Sequence, residues 1–341
     1  MEFSDRLAAL VEERRSQLVL GLDPDPAKLW PCAIEVESPP ADVGFDARAA
    51  TPVEAGERAS SPGPRLADLL MLASGRPTSA HTAARTALSV ARHCRAAIEA
   101  AGAACVAVKL QLACFERLGG PGWLALSDAV AVAREHGLLV IADGKRGDVP
   151  VSAHAYAQAL VGETAGPYGP VAGLGADAFT VNPLLGADSL EPFVAAADSA
   201  GAGCFVLVRT SNRGAADFQD LEAGGAPLHE RFARLVDTVG TRALGDCGLA
   251  SVGAVIGATA AGQIGRLREL MPHAIFLLPG VGTQGGRVAE LRPAFAPHPA
   301  AGLIAASRSI VDAHLARRGD PAAAAASAAE ELRASGWALG N

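Results

Sequence analysis

The 341-residue chain has few charged and few aromatic residues, and it has no long apolar run. Charged residues make up 19% of the chain and aromatic residues 4%, and 29 basic residues against 36 acidic ones give a net charge of −7. This balance excludes a nucleic-acid-binding protein that is recruited by its overall charge. No stretch approaches the roughly 20 apolar residues that cross a bilayer, and the first 20 residues lack the apolar core of a secretory signal. We therefore expect a soluble, cytoplasmic protein whose partners include no nucleic acid and no membrane.

Paired cysteines and metal-binding motifs are also missing. The six cysteines include no Cys-x-x-Cys pair, and several lie inside apolar runs, as is typical of small, reduced core residues. The eight histidines form no pair with metal-ligand spacing, so we interpret them as surface or core residues and expect no metal site.

The sequence does have an apolar half and many residues that turn the chain. Half of the residues are apolar, which supports a sizeable core, while 38 glycines and 22 prolines imply many loops. Short apolar runs that end in Gly, Pro, Asp or Asn predict eight strands. These strands are 18–23, 104–110, 138–143, 178–182, 204–210, 251–257, 275–279 and 302–306.

Segments with helical spacing separate most of these strands and follow the last one. They are 84–101, 123–136, 189–200, 227–244, 261–271, 287–295 and 321–336. Eight strand-then-helix units predict an α/β fold of the (β/α)8 TIM-barrel type, formed as a single domain by residues 1–341. A Pro- and Ala-rich segment at about 37–80, between strand one and strand two, breaks this rhythm, and we interpret it as an insertion that is mostly loop, with a short helix at 65–74.

The strongest local motif is an Asp-x-Lys-x-x-Asp sequence, formed by Asp143, Lys145 and Asp148 at the end of strand three. Taken alone, such a motif is as readily a solvated, salt-bridged turn. Two other strand ends favour a functional site: strand one ends at Asp23, and strand two carries Lys109 in an apolar run, where a buried ammonium requires a carboxylate partner. Because chemistry in this fold lies at the carboxyl ends of the strands, these side chains are expected to meet at one rim.

The last two strands lead into segments suited to a phosphate group. Strand seven runs into the glycine-rich loop 279–286, whose free backbone N–H groups could hold an anion. Strand eight runs into Ser307 and Arg308, which places an arginine at the first turn of a helix. Phosphate sites after strands seven and eight recur in TIM barrels.

A series of motifs, in this order, resembles the orotidine 5′-phosphate decarboxylase family in its longer second subtype. The motifs are GLDPDP, AVKLQLACFE, IADGKRGDVPVSAHAYA, FTVNPLLG, VLVRTSN, VIGAT, LLPGVGTQGG and ASRSIV. The resemblance covers residues 4 to about 316 apart from the insertion. It implies a TIM-barrel enzyme that converts orotidine 5′-monophosphate to UMP and CO2, the last step of de novo pyrimidine nucleotide synthesis, without a metal or organic cofactor.

The resemblance also implies roles for individual residues. The family's charge network corresponds to Lys109, Asp143, Lys145 and Asp148, with Lys145 as the proton donor to C6 of the pyrimidine. The family is a homodimer whose active sites are shared across the interface, and there Asp148, followed by Ser152, would reach into the partner's site.

Substrate contacts follow from the same resemblance. Asp23 would bind the ribose together with Lys109, and Ser211 would contact the pyrimidine edge. Another group of residues would close over the base or hold the phosphate: Pro279, Gly282, Gln284, Ser307 and Arg308. Asn182 is expected near the site, although a turn after strand four explains it equally well.

Two other functions remain open. One is a Mg²⁺-dependent sugar-phosphate decarboxylase or synthase of the same superfamily; those relatives carry an acidic residue where this chain has Lys109. The other is a non-catalytic barrel that binds phosphate ligands, which would have no need for carboxylates facing an anionic substrate.

Overall fold

The computed structural model describes residues 1–34, 79–242 and 244–340, and within them eight parallel strands close into a barrel. Around the barrel the strands follow the order β1-β8-β7-β6-β5-β4-β3-β2. They are β1 (Leu18–Leu22), β2 (Ala107–Gln111), β3 (Leu139–Arg146), β4 (Ala178–Val181), β5 (Gly203–Arg209), β6 (Ala250–Ile256), β7 (Ala274–Pro279) and β8 (Gly302–Ala306). Each overlaps a strand predicted from the sequence, so the (β/α)8 prediction is confirmed.

Helices cover the outside of the barrel, which is why the strands are apolar and buried on both faces. The α-helices are α1 (Phe3–Arg14), α2 (Pro31–Ile34), α3 (Ser79–Ala101), α4 (Leu112–Glu116), α5 (Gly120–Glu135), α6 (Pro150–Leu160), α7 (Ala187–Ala200), α8 (Ala215–Phe218), α9 (Leu228–Gly240), α10 (Ala261–Leu270), α11 (Arg308–Val311), α12 (Ala313–Arg317) and α13 (Pro321–Gly340). None of the helices in the described ranges is both long and apolar enough to cross a bilayer.

Helix α1 closes the amino-terminal end of the barrel. Its side chains Phe3, Leu7 and Val11 are buried against the amino-terminal ends of the strands. The Phe3 ring packs edge-on against Phe205, with 5.9 Å between the ring centroids. Burial of such apolar side chains stabilises the fold by about 1.5 to 3 kcal/mol each. With that end filled, only the carboxyl ends of the strands remain for a ligand.

Several segments differ from the sequence-based prediction, among them α6, for which no helix was named, and the following two. The helix expected over 287–295 is instead two short 3₁₀ helices, Val288–Glu290 and Arg292–Phe295, because Pro293 has no N–H and its ring prevents an α-helix from continuing through it. A two-stranded hairpin, Glu163–Thr164 with Val171–Ala172, follows α6 and was not expected. The insertion predicted at about 37–80, with its helix at 65–74, lies outside the described residues apart from positions 79 and 80.

Candidate active site

A cavity of about 510 Å³ opens at the carboxyl ends of the barrel strands, a volume in the usual range for a small-molecule site. Nine of the thirteen site residues predicted from the sequence line it: Asp23, Lys109, Asp143, Lys145, Ser211, Pro279, Gln284, Ser307 and Arg308. The other four do not line it: Asp148, Ser152, Asn182 and Gly282.

The most tightly bonded part of the cavity is a cluster of charges on β1, β2 and β3. Asp143 accepts from Lys109 Nζ at 2.6 Å through Oδ2 and from Lys145 Nζ at 2.6 Å through Oδ1. Asp23 lies 3.8 Å from Lys109 Nζ. Gln111 completes the cluster when its amide is turned so that the nitrogen donates to the backbone carbonyl of Asp143 at 2.6 Å and the oxygen accepts from Lys145 Nζ at 3.3 Å. One carboxylate is therefore held between two ammonium groups.

Burial and charge act in opposite directions on these groups. Burial would raise the pKa of Asp143, but the ammonium groups of Lys109 and Lys145 outweigh it and hold the pKa of this carboxyl well below its usual range. Burial likewise opposes the charged form of Lys109, yet Asp143 and Asp23 raise its pKa above the usual value. Both groups of the buried pair are therefore ionised at neutral pH.

The two lysines differ in their surroundings. The side chain of Lys109 is 9% exposed and that of Lys145 is 40% exposed. Lys145 also has a φ of 48°, the left-handed conformation that a residue other than glycine rarely adopts. Such strain costs on the order of 1 to 3 kcal/mol and is concentrated at functional sites. Lys145 is therefore the more accessible of the two cavity lysines.

At the other end of the cavity, β7 leads into the glycine-rich loop. Three of its amide groups bond within the loop itself: Gly282 N donates to Gly286 O at 2.9 Å, Gly285 N to Gly282 O at 2.8 Å, and Gly286 N to Gly280 O at 3.0 Å. These three N–H groups are thus used to close the turn and are not available to an anion. Gly282 forms part of this turn and lies against Ser309.

The strongest candidate for binding an anion is therefore the side chain of Arg308. It is exposed at the start of α11 and forms no ion pair with any residue of the described ranges. Helix α11 has only four residues, so its dipole adds little, and the guanidinium itself carries the charge. Next to it, the hydroxyl of Ser309 is buried without a hydrogen-bond partner among the described residues.

The loop after β5 brings Ser211 to the cavity, and two glycines make room for it. A Cβ atom on Gly257 would lie 2.6 Å from Ser211 Cα, and one on Gly280, whose φ is +99°, would lie 3.1 Å from Ser211 Cβ. The preceding residue, Thr210, donates its backbone N–H to Gln219 Oε1 at 2.8 Å. Packing on both sides thus sets the position of Ser211.

Three of the predicted residues outside the cavity follow β3 and β4. Asp148 is partly exposed and accepts a hydrogen bond from the backbone N–H of Val149 at 2.8 Å, and Ser152 lies in the first turn of α6. Asn182 accepts from the backbone N–H of Leu184 at 3.0 Å, which is the local turn that the sequence left open as its alternative role.

Among the polar residues of the cavity that were missed in the sequence, two lie on barrel strands: Gln111 and Thr180. Each is a polar side chain in an apolar strand, which is the same signal that identified Lys109. Gln111 is two residues from Lys109 and therefore faces the same side of β2. Thr180 donates to Asp143 Oδ1 at 2.8 Å. No group of three His, Cys, Asp or Glu side chains within the described ranges is arranged to hold a metal ion.

Comparison with known proteins identifies relatives of the chain. Residues 80–328 match the family described as orotidine 5′-phosphate decarboxylase / HUMPS. The chain is 45% identical over 238 residues to an orotidine 5′-phosphate decarboxylase of Deinococcus radiodurans, covering 69% of this chain and 80% of that protein. It is 42% identical over 228 residues to that of Rhodopirellula baltica, covering 67% and 74% respectively. Among solved structures, an OMP decarboxylase of Leishmania donovani superposes with a TM-score of 0.63 at 28% identity, over 98% of this chain and 99% of that one.

Proposed function

The chain belongs to the orotidine 5′-phosphate decarboxylase / HUMPS family and decarboxylates orotidine 5′-monophosphate to UMP in pyrimidine biosynthesis, and we propose that the reaction runs through the charge network of Lys109, Asp143 and Lys145. The observation that supports this proposal most directly is the buried Asp143 carboxylate held at 2.6 Å from each of two ammonium groups.

The proton donor in this proposal is Lys145. Decarboxylation breaks the bond between C6 of the pyrimidine and the carboxylate carbon, and the electron pair stays on C6. Because no adjacent carbonyl delocalises that pair, it is stabilised by a nearby positive charge. The Lys145 ammonium supplies this charge and then transfers a proton to C6 as neutral CO2 leaves, after which water returns the proton to Lys145.

Asp143 contributes through its negative charge beside the departing carboxylate. At about 4 Å and an effective dielectric constant near 20, two like charges repel by roughly 4 kcal/mol, and the repulsion disappears as CO2 forms. This repulsion is an upper bound and supplies only part of a decarboxylase's rate enhancement. The larger part comes from interactions that fix the substrate against the network.

We assign these interactions to the ribose and phosphate ends of the substrate. Asp23, 3.8 Å from Lys109 Nζ, binds the ribose with that lysine, and Ser211 and Gln284 contact the pyrimidine. Arg308 binds the phosphate dianion through its guanidinium. Phosphate binding then contributes to catalysis at a distance, because it holds C6 next to Lys145.

We further propose that two copies of the chain form a dimer through the surface around Asp148. Four apolar side chains in this region are exposed to solvent: Val149 at 55%, Val151 at 85%, Leu184 at 74% and Leu185 at 54%. Large apolar side chains grouped on a surface are typical of an interface. A twofold axis here would bring Asp148 of each copy towards the other copy's cavity.

The segments that carry this surface are packed together. A Cβ atom on Gly147 would lie 2.8 Å from Asn182 O, so the chain before Asp148 lies directly against the loop after β4. Ser152 is partly exposed, follows Val151 in the first turn of α6 and would accompany Asp148 into the partner's site.

We also propose a cytoplasmic location. All six cysteines lie in the described ranges and none forms a disulfide, as is usual for proteins of a reducing compartment.

An assay of purified protein tests the reaction. We expect the absorbance of orotidine 5′-monophosphate to fall at the same rate with and without excess EDTA. Turnover that EDTA abolishes would instead indicate the Mg²⁺-dependent branch of the superfamily. A folded protein that binds UMP without turning over the substrate would indicate a binding barrel.

Mixing two inactive variants tests the shared site. A hybrid of Lys145→Ala and Asp148→Ala subunits contains one site with both residues intact, so a 1:1 mixture should recover about a quarter of the wild-type activity if the dimer is twofold symmetric. Equal mixtures that stay inactive while hybrid dimers form would contradict the sharing of Asp148.

A further inference from the structure

We propose that Thr180 is a positioning residue for the decarboxylation. Its hydroxyl joins the backbone of Lys145 to the carboxylate of Asp143 and thereby sets where the Lys145 ammonium lies in the cavity. The proposal rests on the role assigned above to Lys145 as proton donor.

The first observation is a bulge in β3 opposite Thr180. Ala142 pairs with Phe179 and Arg146 pairs with Val181, so three residues of β3 stand opposite a single residue of β4. Extra residues in a strand cannot all bond to the neighbouring backbone. The bulge contains both Asp143 and Lys145, so the reacting groups lie where the backbone ladder is interrupted.

The Thr180 hydroxyl takes the place of the missing ladder contact. The backbone N–H of Lys145 donates to Thr180 Oγ1 at 2.9 Å, and that hydroxyl donates to Asp143 Oδ1 at 2.8 Å. A backbone N–H can only donate and an ionised carboxylate can only accept, so the direction of both bonds is fixed. The side chain is 1% exposed, and water cannot readily substitute for it.

The conformation of Lys145 makes this link important for its ammonium. With φ at 48°, its backbone is in a strained region that persists only when its surroundings hold it there. On the other side of the bulge, a Cβ atom on Gly144 would lie 2.7 Å from Leu112 Cδ1, so the chain is pressed against α4. The bond from Thr180 holds it from the β4 side.

Asp143 Oδ1 is the second point at which Thr180 acts. This oxygen accepts from both Thr180 Oγ1 and Lys145 Nζ, whereas Oδ2 faces Lys109. Without the hydroxyl, the carboxylate loses the uncharged bond that fixes Oδ1, so the position of Oδ1 is set only by the flexible Lys145 side chain and by the bond from Lys109 to Oδ2. The Lys145 ammonium then shifts together with Oδ1. A displacement of this kind, of about 1 Å at a reacting group, can reduce a rate by about 10²-fold.

Thr180→Val tests the proposal, because valine keeps the branched shape and removes both hydrogen bonds. We expect kcat for orotidine 5′-monophosphate to fall by about 10- to 100-fold. The dissociation constant of UMP, measured by titration calorimetry, should change by less than about threefold, since the proposed phosphate contact lies at Arg308. Thr180→Ser retains the hydroxyl and should restore most of the lost kcat. Thr180→Ala, which adds no bulk, serves in place of the valine variant if that variant does not fold.

Ser16 provides a matched control at the opposite end of the barrel. Its buried hydroxyl also accepts from a backbone N–H, that of Leu18 at 3.0 Å, and donates to a carbonyl, that of Ala104 at 2.6 Å. Ser16→Ala should lower the melting temperature much as Thr180→Val does and leave kcat unchanged. A merely structural role for Thr180 would make the two variants behave alike.

The inference is overturned if Thr180→Val keeps wild-type kcat, or if Thr180→Ser loses as much kcat as Thr180→Val, since packing of the methyl group would then be responsible. Failure of the wild-type protein to decarboxylate the substrate would count against the proposed function instead, so the two failures are distinguishable.

Discussion

The two ends of the cavity differ in how fully their polar groups are bonded. At one end, Asp143 is bonded to two lysines and a threonine. At the other end, Arg308 forms no ion pair within the described chain, and the buried hydroxyl of Ser309 has no hydrogen-bond partner among the described residues. The first end lies on barrel strands, with Asp143 and Lys145 in the bulge of β3 that Thr180 bonds to. The second lies on the short helix α11 and on the neighbouring glycine-rich loop, in which Gly280, Gly282 and Gly285 all have positive φ. The charge-network end is therefore organised before any ligand arrives, while the phosphate end has unused bonding capacity.

The difference follows from what each end does in the proposed reaction. Electrostatic stabilisation is most effective when charges are already in place, because no reorganisation is then required during the reaction. The energy that holds Lys109 and Asp143 ionised comes from their mutual attraction inside a buried barrel. A phosphate dianion brings its own charge, so the end that binds it can complete its contacts on binding.

The largest expected effect is at the charge-network end. Lys145→Ala should reduce kcat by at least about 10⁴-fold, because it removes both the positive charge at C6 and the proton that C6 receives. UMP binding should persist, since its phosphate contacts lie elsewhere. Lys28, 71% exposed, is the matched lysine whose change to alanine should leave turnover intact. Normal turnover by Lys145→Ala would remove Lys145 from the mechanism.

Replacing the central carboxylate should affect stability as well as activity. Asp143→Asn leaves buried Lys109 with only the more distant Asp23, and we expect a loss of about 3 kcal/mol in the free energy of unfolding at pH 7, since breaking a buried pair is strongly destabilising. Asp23→Asn, which removes a 3.8 Å contact of a 39% exposed side chain, should cost much less. Urea unfolding measures both losses. If the two variants lose the same free energy of unfolding, the network is not centred on Asp143.

The lowered pKa of Asp143 also predicts how the stability lost in Asp143→Asn depends on pH. The pKa of Asp143 is lower in the folded protein than its usual value near 4, so its contribution is fully present above about pH 4 and is lost as the pH falls towards the folded pKa. The stability difference between the wild type and Asp143→Asn should therefore be constant near neutrality and shrink in acid. A difference that grows below pH 4 would contradict the lowered pKa.

Arg308→Ala should have a smaller effect, and only on phosphorylated substrate. We expect kcat/KM to fall by about 10- to 100-fold, the equivalent of one charge-assisted contact, with no loss of stability because Arg308 has no ion pair in the described chain to lose. The nucleoside orotidine, which lacks the phosphate, should be turned over equally by the variant and the wild type. An equal loss on both substrates would place Arg308 in the chemistry rather than in phosphate binding.

The two ends also differed in how well the sequence predicted them. The barrel could be predicted because its strands are continuous apolar runs, and the charge network because Asp143 and Lys145 follow one such run and Lys109 interrupts another. The bulge in β3 could not, because the residues that surround it, Leu112 beside Gly144 and Thr180 bonded to Lys145, are distant from it in sequence. Nor could the sequence show which N–H groups of the glycine-rich loop are used by bonds inside the loop, because these bonds depend on how the loop folds back on itself.

The smallest expected effect is on stability, and it compares one hydroxyl at each end of the cavity, that of Ser309 and that of Thr180. A buried polar group without a partner costs about 1 to 3 kcal/mol, so Ser309→Ala should raise the free energy of unfolding of the ligand-free protein by about 1 kcal/mol. Thr180→Val, which leaves the Lys145 N–H and Asp143 Oδ1 short of a partner, should lower it. Urea unfolding of both variants measures the contrast. If Ser309→Ala is destabilised as much as Thr180→Val, the Ser309 hydroxyl is bonded in the free protein and the phosphate end is as fully organised as the charge network.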